Sequence, residues 1–290
     1  ACVIFREIIR RYFKVMEDTT HRKIVINEKE FFIKGNFFDI KKPVVSIVGT
    51  RSCTPQGFND CKNLSAILAS YGVVVISGGA RGIDTAAHSG ALEAKGTTGA
   101  ILGCGIDVVY PNENRRLFNE ISKKGFLLSE FPPTASPLPW QFPVRNKTIA
   151  QICDVLVVVE ATIKGGSRIT ADHALDLGKT IFALPGNRRN TSSTGCNQLI
   201  YDGANLLMEP SDILDFLNIS HSHSGWEYRK RRLEMSKEKQ KIFKDLPNEA
   251  FSLYEASQLS GMTIGETSKL LVELTQAQLV VSKRGLWFKL

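Results

Sequence analysis

The sequence has no run of apolar residues approaching the ~20 that a membrane-spanning helix needs, so nothing in it is expected to cross a bilayer. It also lacks any Cys-x-x-Cys pair and any histidine cluster. Its six cysteines, Cys2, Cys53, Cys61, Cys104, Cys153 and Cys196, are scattered along the chain. That argues against zinc, and it reads as reduced, core-type thiols of a cytoplasmic protein rather than a disulfide framework. Two nucleotide-site signatures are absent as well. No Gly-x-Gly-x-x-Gly opens the first strand-helix unit, and the second strand runs into "SGGARG" with no acidic ribose ligand, which disfavours NAD. The "GKT" at residues 178–180 imitates the end of a P-loop, yet His173 stands where the loop's first glycine belongs and the triplet leads into a strand. Internal repeats and low-complexity tracts are missing too. The first residue is Ala1, and "CVIFREII" is too short and too broken by charge to make a convincing signal sequence, so it reads as a trimmed start.

What is present is an ordinary globular composition: 290 residues, 43% hydrophobic and 23% charged, enough for about two domains. The net charge of +8 fits either a polyanionic partner or plain solubility charge, and placement has to decide between them. From Pro43 onward six short apolar runs, "VVSIV", "VVVIS", "TTGAIL", "FLLSE", "VLVVVEA" and "TIFALP", alternate with helix-length segments. This alternation predicts a doubly wound, mostly parallel α/β sheet with helices on both faces. "EFFIKGNFF" predicts an added strand ahead of it. The expected organisation is an N-terminal segment over residues 1–42, a doubly wound α/β domain over 43–219, a basic linker over 220–235 and a winged-helix domain over 236–290.

The glycines fall into two classes. Gly72, Gly96, Gly125 and Gly178 follow helical segments and precede strands, where glycine ends a helix in the left-handed conformation. Gly49, Gly78, Gly79, Gly103, Gly105, Gly165, Gly166 and Gly186 instead follow strands and precede helices. In a parallel sheet all such turns lie on one edge, beyond the carboxyl ends of the strands, so they converge on one crevice. Bare turns present backbone N–H groups at the positive ends of helices and let an anion approach closely; tight packing is the alternative use.

Cations sit in the same turns: Arg51 after Gly49 and Thr50, Arg81 after Ser77, Gly78, Gly79 and Ala80, Arg145 and Lys147 around Asn146, Lys164 before Gly165 and Gly166, and Arg168 after Ser167. Singly, each is an ordinary surface charge. As a set they predict a phosphate site, and their number suits a polymer backbone better than one nucleotide. Trp140 and Phe142 offer base-stacking surfaces or pack under the proline-rich loop. Asp84, His88 and Glu160 could be assembled as an acid/base group, although an aspartate in a first helical turn commonly serves the helix dipole. No catalytic role is assigned.

Beyond Asn218 the composition turns polar and then basic. A helix through Leu246, a short helix "SLYEASQLS", a longer one from Thr263 with Thr263 and Glu266 as its capping box, and "LVVSKRGLWFKL" as a two-stranded wing make up the expected winged helix. Its recognition-helix candidate carries one basic residue, Lys269, which favours a protein-contact or weak DNA-contact module over a duplex reader. The basic segment from Arg229 to Lys244 either tracks phosphates or is a solvated helix.

The ordered set "SIVGTR", "SGGARGID", "LGCGIDVVYP", "LLSEFPP", "FPVRNKTIA", "VVVEATIKGGSRITADHAL", "FALPGN" and "GCNQLIYDGA" closely resembles the DprA/Smf family of DNA-processing proteins over roughly residues 31–208. The resemblance implies an extended Rossmann domain that binds single-stranded DNA, as a homodimer, and delivers it to a RecA-type recombinase during natural transformation, with no catalytic step and no cofactor. By the resemblance, the binding positions carry over onto Gly49 to Arg51, Ser77 to Arg81, Arg145 to Lys147 and Gly165 to Ser167. Val144, Arg168 and Cys196 depart from the family pattern, with Arg168 placed to compensate for weaker phosphate binding at Val144. A rival expectation is a nucleotide-processing enzyme akin to LOG-type phosphoribohydrolases, but "KGGSRIT" and "PGNRRN" both miss the Pro-Gly-Gly-x-Gly-Thr stretch of that class.

Overall fold

The computed structural model of the chain describes residues 14–17, 22–26, 29–39, 41–221, 237–247, 249–276, 279–283 and 285–289. The described residues form two compact units: those up to Cys53 together with Cys61–His221, and Thr54–Asp60 together with those after Ser222.

The first unit is built on a ten-stranded sheet. The six apolar runs become β4 (Val44–Gly49), β5 (Val74–Ser77), β6 (Thr98–Leu102), β7 (Phe126–Ser129), β8 (Val155–Val159) and β9 (Thr180–Ala183), all parallel. They are unbroken apolar or β-branched runs because both faces are covered: every residue of β5, β6, β7 and β8 is buried. The expected extra strand is β3 (Lys29–Gly35), which pairs antiparallel with β7 and carries two strands the sequence did not announce, β1 (Lys14–Glu17) and β2 (Arg22–Ile26). Alternation in β3 buries Phe31 and Ile33 while Glu30 and Lys34 stay exposed. A short β10 (Asn205–Leu206) closes the other edge.

The strand order β1-β2-β3-β7-β6-β5-β4-β8-β9-β10 reverses direction at β4. From β4 the chain runs outward through β5, β6 and β7, then returns to place β8 on the other side of β4. In an open parallel sheet such a reversal leaves a crevice outside the carboxyl ends of the strands. The part of α1 (Pro55–Ser70) from Cys61 onward, with α2 (Ile83–Glu93), α3 (Arg115–Lys124), α4 (Gln141–Ile152), α5 (Gly166–Asp176), α6 (Thr194–Tyr201) and α7 (Pro210–Phe216), completes the unit.

Packing explains two glycines differently from the sequence. Gly72 and Gly178 end helices with φ of 80° and 63°, as expected. At the end of α2, however, the left-handed residue is Lys95 (φ 57°), and Gly96 is needed because a Cβ there would press on Ala69. Gly125 (φ −157°) is not left-handed; it lies against the carbonyl of Thr98, where a side chain would not fit. Cys61, Cys104, Cys153 and Cys196 are buried free thiols and Cys53 is a half-buried one; Cys2 lies outside the described residues. Burial pushes the Cys104 and Cys196 thiols up to about 11 and about 12, so neither behaves as a nucleophile near neutrality.

The second unit holds α8 (Lys237–Asp245), α9 (Leu253–Ser260), α10 (Ile264–Gln276) and the antiparallel hairpin β11 (Val280–Lys283) with β12 (Leu286–Lys289). Phe251 exchanges both backbone hydrogen bonds with Trp287, adding a bridge to the hairpin. Phe243, Phe251, Leu271 and Leu279 fill its core. The capping box read at Thr263 and Glu266 is formed: the Glu266 amide donates to Thr263 Oγ1 (3.3 Å) and the Thr263 amide to Glu266 Oε2 (3.0 Å). A second box joins Ser252 and Glu255. The expected basic linker lies, beyond its first two residues, outside the described residues. Among the described residues no helix is long and apolar enough to cross a membrane.

Candidate nucleic-acid interface

The turns that follow β4, β5 and β8 are fastened to one another. The Thr50 amide donates to the carbonyl of Glu160 (2.7 Å), and the Ile83 amide donates to the carbonyl of Thr50 (3.2 Å). Gly82, in the left-handed region (φ 71°), passes so close to the Thr50 carbonyl that no side chain could stand there. Tertiary hydrogen bonds therefore bring together turns that topology only places on the same edge. Between the turns after β4 and β8 opens a crevice of about 400 Å³, at the reversal point of the sheet.

Two buried opposite charges hold the β5 turn from beneath. Asp84, on the first turn of α2, accepts from the amides of Gly78 (3.1 Å) and Ala80 (3.2 Å). Arg145, on α4, is 6% exposed and donates through Nη1 to the carbonyls of Gly78 and Ile101, and through Nε to Asn146 Oδ1 (3.1 Å). Burial works against both charges: it pushes the Asp84 carboxyl above its usual range and lowers the Arg145 guanidinium, while each charge offsets part of that for the other. A Cβ on Gly78 would overlap the Arg145 guanidinium, so this glycine is required by the pair beneath it.

Phe142 forms the crevice wall between two cations. Arg51 lies over one ring face with 5.6 Å to the centroid, and Arg145 is 5.8 Å from the same ring. The exposed Arg51 guanidinium is thus oriented by an aromatic plane and, among the described residues, makes no ion pair with a carboxylate. On the opposite wall α5 begins. Gly165, at its N-cap, has no side-chain cap bond, and the first turn carries no acidic residue. A Cβ on Gly166 would meet no protein atom within 4 Å, so the bare backbone there faces open space rather than a packed neighbour. A helix start with uncapped amides, an oriented guanidinium and an aromatic face is a constellation suited to an anionic group carrying a planar base.

Most of the positions singled out in the sequence come together here. Gly49, Thr50, Arg51, Ala80, Arg145, Asn146, Gly165, Gly166 and Ser167 line the crevice. Gly78, Ala80 and Arg81 line a smaller adjoining pocket of about 50 Å³ that shares Arg51, Phe142 and Arg145 with it. Other positions do not reach it. Ser77 is buried and its hydroxyl donates to the carbonyl of Ile47 (2.6 Å). Gly79 takes φ 71° and backs onto the ring of Phe118. Lys147 and Lys164 are exposed beyond the crevice walls, Lys147 close enough to Lys29 to help lower its ammonium pKa after burial. Arg168 is turned toward Asp172 (2.9 Å) and Asp202 (3.5 Å), so it does not compensate for the apolar side chain of Val144.

Arg145 carries its charge inward, as a support for the turn. Arg81 is paired with Glu113. The acid/base group is not assembled: Asp84 serves the turn amides, and His88 donates from Nδ1 to Thr98 Oγ1 (2.7 Å), whose own proton goes to Val75 O. Burial lowers the His88 imidazole to about 3, leaving it neutral. Trp140 is 59% exposed and set edge-on to Phe131, so of the two aromatics only Phe142 belongs to the site. Sequence reading missed Gly82 and the wall residues Thr162 and Thr170. Gly82 was legible as the glycine before the helix start; the threonines carried no signal apart from position.

The model of the family described as DNA recombination-mediator protein A matches residues 18–218. The DNA processing protein DprA of Streptococcus pneumoniae is 42% identical over 183 residues, which is 63% of this chain and 64% of that protein, so the chain spans just under two thirds of that relative's length. The X-ray structure of the pneumococcal protein superposes with a TM-score of 0.60 at 39% identity, covering 64% of this chain and 65% of that one. The structure of DNA processing protein A from Helicobacter pylori, described for its single-stranded DNA binding mode, gives a TM-score of 0.61 at 28% identity over 71% of this chain and 95% of that one. Both support the mostly parallel α/β architecture.

Proposed function

Because the chain belongs to the family of DNA recombination-mediator protein A, we propose that it binds single-stranded DNA by laying the sugar-phosphate backbone across the crevice at the reversal point of its sheet. One phosphate sits over Gly166 at the start of α5, with Arg51 as its counter-charge, and a neighbouring base lies against Phe142. The observation that carries this reading is the open space at Gly166 facing Arg51 and Phe142 across one cavity. Direct phosphate contact falls to Arg51, the turn amides and the exposed Lys147 and Lys164, while Arg145 and Asp84 hold the β5 turn in shape.

In this reading the protein is a carrier rather than a catalyst: its cytoplasmic role is to hand the bound strand to a RecA-type recombinase during DNA uptake and natural transformation, acting as a homodimer. The second unit is a winged helix making protein or weak DNA contacts. The family match does not favour a nucleotide-processing activity. The test is a titration of the full chain with a single-stranded oligonucleotide, a duplex of equal length and a nucleoside monophosphate at two salt concentrations. Single strand should bind most tightly and lose affinity with salt at a slope of about −0.7 per phosphate neutralised. Monophosphate binding as tight as the oligonucleotide, or base release from it, would overturn the proposal.

A further inference from the structure

A single-strand site in the crevice raises the matter of where a longer strand goes once it leaves, and the inference drawn from it rests on that reading. Beside β6 and β7 several cations are neutralised at short range: Arg81 is paired with Glu113, Lys29 with Glu130 and Arg116 with Glu120, while Arg115 and Lys147 are exposed and make no ion pair among the described residues. On the other side fewer are paired. Lys164, in the turn after β8, and Arg188 and Arg189, in the turn after β9, are exposed and make no ion pair among the described residues.

These two turns are physically continuous. The Leu184 amide donates to the carbonyl of Val158 (3.0 Å), and the Gly195 amide, at the start of α6, donates to the carbonyl of Ala161 (2.7 Å). Asn197 clamps Gly186 in both directions, accepting from its amide (3.1 Å) and donating to its carbonyl (2.9 Å). Gly195 packs against Ala161 and Thr162, and Thr162 is a wall of the crevice. The path from the crevice wall to Arg188 therefore crosses one packed helix start. Of the carboxylates on this side, Asp172 and Asp202 are occupied by Arg168, and Glu160 lies beside Cys196, where, after burial, it helps raise the thiol. The balance along this side stays positive.

We infer that the single strand leaves the crevice over β8 and β9, passing Lys164 and placing phosphates on Arg188 and Arg189. The site then has two parts: a crevice that seats a short piece of strand, and an exit track whose contacts are purely electrostatic. Contacts of that kind are indifferent to base sequence and sensitive to salt.

The experiment compares the full chain with the Arg188→Ala/Arg189→Ala variant in fluorescence polarisation titrations of oligo-dT of about 4 and about 16 nucleotides, lengths at the two ends of common single-strand site sizes. For the long probe, removing two phosphate-binding cations worth about 0.7 each makes the log–log salt slope shallower by about 1.4 and lowers affinity about 25-fold at ~0.1 M salt. The short probe should bind both proteins alike, and Arg188→Lys/Arg189→Lys should restore long-probe binding. Unchanged long-probe affinity in the alanine variant, with Arg51→Ala weakening both lengths, would refute the exit track and leave the crevice standing. An equal loss for both lengths would also refute it, placing the two arginines at the crevice itself. Wild-type binding by Arg51→Ala would instead remove the crevice reading and the track with it.

Discussion

Replacing Arg145 by alanine should be felt first in stability. Its guanidinium is buried, bonded to the carbonyls of Gly78 and Ile101, and set opposite the buried carboxyl of Asp84. Removing one member of such a pair strands the other charge in a poorly solvating interior, at about 3–5 kcal/mol. For a unit of roughly 150–250 residues each kcal/mol moves the midpoint by about 2–4 °C, so the apparent Tm should fall by roughly 6–20 °C. Asp84→Ala should cost a comparable amount, because it also frees the amides of Gly78 and Ala80. The double variant should be more stable than the sum of the two losses implies, by about 0.5–3 kcal/mol, the coupling typical of groups in one network. Arg51→Ala, an exposed residue, should stay within about 0.5 kcal/mol of the parent. Thermal unfolding of the four variants followed by circular dichroism reads all of this. An Arg145→Ala protein that melts with the parent, or strictly additive losses, would refute the idea that the pair shapes the turn.

Two glycines of the site should behave oppositely: Gly78→Ala must displace Arg145 or Asp84 and lose about 1–3 kcal/mol in denaturant melts, whereas Gly166→Ala meets no protein atom and should keep its stability while losing oligonucleotide affinity. His88 makes stability fall as pH drops below about 6.5: the native imidazole stays neutral down to about 3 while the unfolded one takes up a proton, which is worth roughly 2 kcal/mol by pH ~5. His88→Gln should flatten the difference between urea melts at the two pH values. Ser252→Ala removes the cap of α9 and should destabilise the second unit by about 1 kcal/mol, read as earlier hydrogen exchange in that helix, with oligonucleotide binding in the crevice unchanged.

The parallel sheet was legible because its strands are buried on both faces: "VLVVV" has no polar residue to confuse the pattern, and most of the runs have a glycine close to one end or both. β1 and β2 were not, since "KVME" and "RKIVI" are short, charged strands whose apolar content resembles that of a surface segment. The convergence of the turns followed from topology, but the inward direction of Arg145 did not. Its partner Asp84 is distant in sequence, and a turn arginine looks the same on paper whether it points to solvent or beneath the loop. Arg168 was misread for want of a rule already available, since Asp172 stands four residues on, at the spacing of a helical ion pair. Lys95 took the left-handed place expected of Gly96 because the tight approach of α1, through Ala69, claimed the glycine for clearance instead.

The central claim is that a DNA backbone lies between Arg51 and the start of α5. It is tested most directly by the salt dependence of oligo-dT binding in the parent and in Arg51→Ala. Removing this one phosphate-binding cation should make the log–log slope shallower by about 0.7 with no change in the melting temperature. Identical slopes and affinities for the two proteins would contradict it.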